Sequence, residues 1–289
     1  TPTRKIAHEV MRDLRQGDLL DRSLDRRAAG LPPRDQAWLR ELLYGVQRHR
    51  GRLDHLIGQR VRSGLASLQS DVLDVLRLGA QQLLEMGSVP TYAAISQSVE
   101  LVRAVGSPRA AGLVNGVLRA LDRERDRLEY PDPERAPIEY LCGWGSHPRW
   151  LVERWLERWG FEETERLVMA NNERPELYIR PLRLPAEEAA ERLAEHGVEA
   201  SVDATFPRSL QIASAAAPAA VLGIVPAVVQ DPAAALVVDF AAIGEGDTVL
   251  DLCSAPGGKT VGLAERAVYT AAADLSAGRI RRVRQNVKR

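Results

Sequence analysis

Val249-Leu250-Asp251-Leu252-Cys253-Ser254-Ala255-Pro256-Gly257-Gly258-Lys259-Thr260 is the stretch that decides the fold. The apolar run ending at Asp251 reads as a buried strand. Ala255-Pro256-Gly257-Gly258 bends the chain sharply, and a helical pattern begins at about Lys259. Strand, glycine turn and helix start form a nucleotide-type binding element. The N–H groups at a helix start lack intrahelical partners, and glycine lets a ligand approach the backbone. Two phosphate patterns fail here. A P-loop needs a glycine where this chain has Cys253. The G-x-G-x-x-G fingerprint fails because the turn's only glycines are the adjacent Gly257 and Gly258.

Outward from the turn, Val268 to Ala273 reads as a second strand ending in Asp274. The two strands open a doubly wound parallel sheet. An acid at that tip, about twenty residues past the first strand, is where such folds bind ribose hydroxyls; its competitor is a plain N-cap for the next helix. The turn resembles the S-adenosylmethionine (SAM) turn of RNA cytosine-C5 methyltransferases, Asp-x-Cys-x-Ala-Pro-Gly-Gly-Lys-Thr, through Asp251, Cys253, Ala255, Pro256, Gly257, Gly258, Lys259 and Thr260. The resemblance implies that Cys253, Ser254, Ala255, Pro256, Gly257, Gly258 and Lys259 hold S-adenosyl-L-methionine, with Asp274 on its ribose. Arg279, Arg282, Asn286 and Arg289 fit the family's Asp-x4-Arg…Asn-x2-Arg helix.

At 289 residues, with 45% hydrophobic and 27% charged residues, the chain suits a soluble globular protein of about two domains. Lysine occurs only at Lys5, Lys259 and Lys288, so arginine carries nearly all positive charge. Arginine suits bidentate phosphate contacts, although codon bias explains the same excess. Formal net charge is zero, so no global signature of nucleic-acid binding exists. Locally, Arg279–Arg289 holds six basic residues and no acid, and Arg40–Arg62 is net basic. Arg279, Arg282 and Arg289 are the candidate RNA contacts, against the alternative of a solvated face. Cys142 and Cys253 match no metal spacing and suit a reducing cytoplasm. His8, His49, His55, His147 and His196 form no evident ligand cluster, and no metal is expected. The opening residues carry no signal-peptide pattern. Ile212–Val229 is uncharged but broken by Pro218, Gly223 and Pro226, and reads as turns and buried strand rather than a membrane span.

The first 125 or so residues read as helices. Ile6, Val10 and Leu14 share one face; Trp38 to Val46, Leu53 to Val61 and Val72 to Leu84 repeat the spacing. Gly87-Ser88-Val89-Pro90 breaks the pattern, which resumes over Tyr92–Val105 and Leu113–Leu121. Ala111-Gly112-Leu113-Val114-Asn115-Gly116-Val117-Leu118-Arg119 resembles the signature of NusB-like domains, supported by Leu43-Tyr44-Gly45-Val46 and the helix of Ala93 and Val99-Glu100-Leu101. The resemblance implies a helical domain that binds RNA and protein partners. Pro131 to Pro137 is a proline-rich break. After His147-Pro148, a helix carries Trp150, Trp155 and Trp159, read as packing anchors between domains, and stops at Gly160. Leu177–Arg180, Val198–Val202 and Leu210–Ile212 read as short strands around a helix over Pro185–His196. Val228-Val229-Gln230-Asp231-Pro232 resembles the family's entrance to its catalytic domain. The expected multidomain organisation is an all-α NusB-like domain at 1–130 and a helical linker at 131–172. A small α/β RNA-recognition-like subdomain at 173–225 and the start of a Rossmann-like SAM-dependent methyltransferase domain at 226–289 follow.

The order of parts resembles ribosomal RNA cytosine-C5 methyltransferases of the RsmB/Sun type. That implies a SAM-dependent enzyme acting on small-subunit ribosomal RNA, monomeric and free of membrane and metal. In that family a cysteine of a Thr-Cys motif attacks cytosine C6, and a Pro-Cys motif supplies a second cysteine. Neither motif occurs among these residues, so no catalytic residue is assigned; the nucleophile is expected beyond Arg289 and the 289-residue polypeptide is expected to be inactive. Two strands with two helices cannot bury both faces of a parallel sheet, which points to a truncated domain. The alternative is a non-catalytic NusB-like RNA-binding or antitermination regulator with a vestigial SAM turn. A small-molecule SAM methyltransferase is a third reading, one that leaves the upstream domains unused.

Overall fold

A computed structural model describes residues 2–213 and 216–289. The chain divides into two compact units, Thr1–Glu173 and Arg174–Arg289. Seven helices open the first: α1 (Pro2–Arg15), α2 (Leu20–Arg27), α3 (Pro33–Arg48), α4 (Arg50–Gly58), α5 (Ser70–Glu85), α6 (Thr91–Ala104) and α7 (Ala111–Arg123). All but α2 follow the apolar spacing. The α2 segment offers only Leu20 and Leu24 among charges, too few to show a period. Helix α5 is buried nearly all round, including its polar Asp74, Arg77, Gln81 and Gln82, as a helix inside a bundle must be. At Gly79 a Cβ would stand 2.7 Å from both Leu118 Cδ1 and Ser98 Oγ, so α6 and α7 close onto α5 at a residue without a side chain. Leu42, Leu43, Leu76, Leu118 and Leu121 are fully buried around it, each contributing about 1.5–3 kcal/mol by burial.

Two buried carboxylates of this bundle, Asp13 and Asp74, are met by arginines. Asp13 accepts hydrogen bonds from Ser23 Oγ (2.5 Å), Arg26 Nη2 (2.7 Å), and Arg27 Nε (2.6 Å) and Nη2 (2.8 Å). The Arg27 bonds hold its carboxyl well below the usual carboxylate range. His8, whose pKa burial lowers, meets Asp71 and Asp74, a grouping invisible at sequence separations above sixty. Arg15 bridges both carboxylates and Arg77 donates to Asp74, so the group is an internally neutralised ion network.

Two further helices follow, α8 (Pro137–Gly143) and α9 (Arg149–Asn172). Helix α9 breaks at Gly160 (φ 74°, ψ −177°) and then resumes, where the sequence suggested an end. The tryptophan expectation needs correction. Trp155 packs beside Leu141, Val152 and Val168, but Trp150 and Trp159 are 64% and 44% exposed. Trp144, outside the expected set, does more: the Arg52 guanidinium lies 4.1 Å from its ring centroid and Tyr130 meets its edge.

The second unit begins with β1 (Leu177–Pro181), α10 (Ala186–Glu195), β2 (Ala200–Val202), β3 (Leu210–Ile212), α11 (Pro218–Ile224) and β4 (Ala227–Val229). The strands pair antiparallel in the order β2-β3-β1-β4, with Ile179 opposite Leu210 on one side and Val229 on the other. A β-α-β-β-α-β chain in this order is ferredoxin-like. Ala227–Val229 therefore belongs to the small sheet, which moves the expected boundary at 225/226 beyond Val229. Helix α11 lies in the uncharged run read as turns; Pro218 begins it, where a missing N–H costs nothing. Ser214 and Ala215 of that run lie outside the described residues. Among the described residues no helix is long and apolar enough to cross a membrane.

Then come α12 (Pro232–Phe240), capped by Asp231 accepting from the Ala233 N–H, β5 (Thr248–Asp251), α13 (Gly258–Ala264), β6 (Tyr269–Ala272) and α14 (Ala277–Lys288). Strands β5 and β6 pair parallel, Asp251 opposite Ala272. The strand expected to be buried is not: Leu250 is 60% exposed and Val268, leading into β6, 70%. Apolar composition alone buries a strand only where other elements cover both its faces.

Candidate cofactor-binding site

The turn between β5 and α13 is built from short local bonds. Thr260 Oγ1, buried at the helix start, donates to Asp251 Oδ2 (2.7 Å) and so ties helix to strand. Ser254 is buried and donates through both N–H (3.0 Å) and Oγ (2.8 Å) to the Ala273 carbonyl, just past β6. Asp274 accepts from the Ala255 N–H at Oδ2 (3.2 Å) and from the Ser276 N–H at Oδ1 (2.9 Å), and pairs with Arg279 (3.0 Å). The Ser276 N–H, ahead of those other partners, holds its carboxyl below the usual range. Asp274 is thus not the N-cap of α14. That role falls to Ser276, whose side chain accepts from the Arg279 N–H.

Gly257 is the pivot. It caps α13 at φ 106°, ψ 2°, a conformation that L side chains avoid. A Cβ there would stand 3.1 Å from the Cα of Val283 in α14. Asn286 of the same helix donates to the Pro256 carbonyl (2.9 Å). Cys253, Pro256 and Lys259 are exposed around this frame, while Ser254 and Gly257 are buried in it. The structure therefore brings all the sequence-predicted cofactor residues to one place, with Ser254 and Asp274 spending their polar atoms on the turn itself. Of the candidate RNA contacts, Arg279 is engaged by Asp274, Arg289 donates to Asn286, and Arg282 is exposed.

Sequence reasoning missed two residues behind the turn, Arg180 and Gln230. Arg180 of β1 pairs with Glu265 at the end of α13, and Gln230 lies against Gly258. A buried arginine in an otherwise apolar strand was the available signal, at Leu177-Tyr178-Ile179-Arg180.

Fold and turn define the class: a NusB-like helical domain, then a ferredoxin-like small domain, then the start of a methyltransferase domain. Residues 1–123 match the NusB family, 147–218 the RsmF/B-like ferredoxin-like domain, and 240–289 the 16S rRNA methyltransferase RsmB/F family. The chain carries NusB plus RsmB/F methyltransferase domains. It is 33% identical over 264 residues to "Ribosomal RNA small subunit methyltransferase B" of Cronobacter sakazakii, covering 89% of this chain and 59% of that protein. It is 31% identical to the protein of that name from Klebsiella pneumoniae, covering 98% and 65%. The chain thus spans about six-tenths of the length of these curated relatives. The crystal structure of PH0851 shares the fold, with a TM-score of 0.70 at 23% identity, over 100% of this chain and 67% of that one.

Proposed function

We infer that these residues serve a SAM-dependent methylation of cytosine C5 in small-subunit ribosomal RNA. The observation that carries the reading is a turn with a left-handed Gly257, backed by Val283 and braced by Ser254, Thr260 and Asp274, in a chain with a NusB domain and a ferredoxin-like domain upstream. The relatives' printed names agree with ribosomal RNA as the substrate.

The residues fit the cofactor. Gly258 leaves half-exposed backbone at the helix start, and Cys253, Pro256 and Lys259 reach solvent beside it. Asp274, its pKa lowered by the Ser276 and Ala255 N–H groups, would accept ribose hydroxyls at the tip of β6 through the lone pairs those bonds leave. When bound, SAM supplies an electrophilic methyl group. Cytosine C5 needs activation to take it: a cysteine thiolate would add to C6, C5 would take the methyl as the thioether S-adenosylhomocysteine leaves, and loss of the C5 proton to a base would expel the thiolate. We assign that thiolate to neither Cys142 nor Cys253. Cys253 lies inside the cofactor turn, and Cys142 is half-buried in α8, where burial raises its thiol pKa. The exposed arginines of α14 are suited to hold RNA phosphates.

Two measurements test this. A polypeptide of residues 1–289, given radiolabelled SAM and unmodified small-subunit ribosomal RNA, is expected to transfer no label and to bind SAM more weakly than micromolar. Label on cytosine C5 would overturn the assignment of the nucleophile. Bisulfite sequencing of ribosomal RNA from a strain lacking the gene is expected to show one lost 5-methylcytosine; retention of every such signal would favour a non-catalytic RNA-binding protein.

A further inference from the structure

Two side chains, Arg180 of β1 and Gln230 just past β4, press on the helix that follows the turn. Gly258 and Gly262 stand four residues apart and so share a face of α13. A Cβ at Gly262 would lie 2.4 Å from Arg180 Nη1 and 3.2 Å from both Val238 methyl carbons; one at Gly258 would lie 3.4 Å from Gln230 Nε2. Arg180 is 4% exposed and Gln230 6%. Nη2 of Arg180 donates to Glu265, the residue that closes α13, while Nη1 is buried without a hydrogen-bond partner. Both amide atoms of Gln230 are buried and unpartnered as well.

These are poor choices for stability. A buried donor left unmade costs free energy, and replacing a buried ion pair with apolar groups is often neutral or stabilising. What a buried guanidinium does offer is a single answered position, here against Glu265 at the helix end where the last carbonyls are partly negative. Glycine at 262 is the matching half of that arrangement, because any side chain there would displace the guanidinium.

We propose that Arg180 is a positioning residue for the Cys253–Lys259 turn. Through Glu265 and the glycine face of α13, it sets where the ferredoxin-like sheet holds the turn, with Gln230 as the contact at the other end. The consequence for cofactor binding rests on the function proposed above; the geometry does not.

Hydrogen exchange on the 289-residue chain without ligand tests the proposal. Arg180→Met keeps the apolar stem and removes the charge. Amides within 254–262 are expected to exchange about tenfold faster or more, while those of β1 and β3 keep their rates and the melting temperature holds or rises. Arg180→Lys, which still answers Glu265, is expected to recover part of the lost protection. Unchanged exchange in the turn would overturn the proposal, as would equal loss across Arg174–Arg289, the mark of a residue that only stabilises. Repeating the exchange with millimolar SAM reads the cofactor assignment separately. Added protection of the turn in the unmodified chain, weaker in Arg180→Met, supports both; no response in the unmodified chain counts against the cofactor alone.

Discussion

Gly257→Val is expected to open the junction between the Cys253–Lys259 turn and α14. Two costs combine at this residue. Its φ of 106° suits glycine, and an L residue in left-handed backbone costs about 1–2 kcal/mol, more when β-branched. The new side chain would also meet Val283, whose Cα is 3.1 Å from the Cβ position. Overpacking of that kind costs about 1–3 kcal/mol. The loss should be local. Hydrogen exchange should speed up over 254–260 and along α14, while the four-stranded sheet keeps its protection. Gly257→Asn separates the two causes, because asparagine tolerates left-handed backbone yet brings the same Cβ. If asparagine restores full protection, backbone conformation was the whole cost and the Val283 contact is unimportant. If valine itself leaves exchange unchanged, the close approach of α14 to the turn is wrong.

Asp13→Ala is expected to be the most damaging single change in the helical unit outside its apolar core. The Asp13 carboxylate serves Ser23, Arg26 and Arg27 at once, so its removal strands a hydroxyl and leaves the two guanidinium groups only Asp18 and Glu9. Breaking a buried ion pair costs about 3–5 kcal/mol; both arginines reach solvent, so about 2–4 kcal/mol is expected here. Urea titration followed by far-ultraviolet circular dichroism, which weights the helical unit, measures it. The pH dependence has a definite sign. The folded-state pKa is depressed, so the contribution is present above the ordinary aspartate value of about 3.9. It fades as pH falls below that value through the folded-state one. The stability gap between the unmodified chain and Asp13→Asn should therefore be full at pH 6 and shrink in acid. A gap that is constant with pH would mean the charge of Asp13 contributes nothing.

Much of the helical unit was legible, and the reason is local. Six of its first seven helices repeat apolar residues at helical spacing over nine or more positions, and such a repeat has one structural solution. The turn was legible for a similar reason. Gly257-Gly258 after a strand-like run leaves few conformations, and the residues matched to a cofactor turn are contiguous. What escaped is what depends on distant partners. The small sheet has strands of three to five residues, too short for a period-two pattern, so β4 was assigned to the wrong side of a boundary. Trp150 and Trp159 were expected to pack because large aromatics usually do, and are exposed.

By itself, then, the sequence determined that a helical bundle precedes a strand–turn–helix element that resembles a cofactor turn, because those signals are carried by neighbouring residues. Tertiary structure alone decided how that element is held. Val283 behind Gly257, Asn286 on the Pro256 carbonyl and Arg180 over Gly262 are contacts between residues 26 to 82 positions apart. No periodicity spans such distances; only the paths of β1, α13 and α14 through the second unit bring them together.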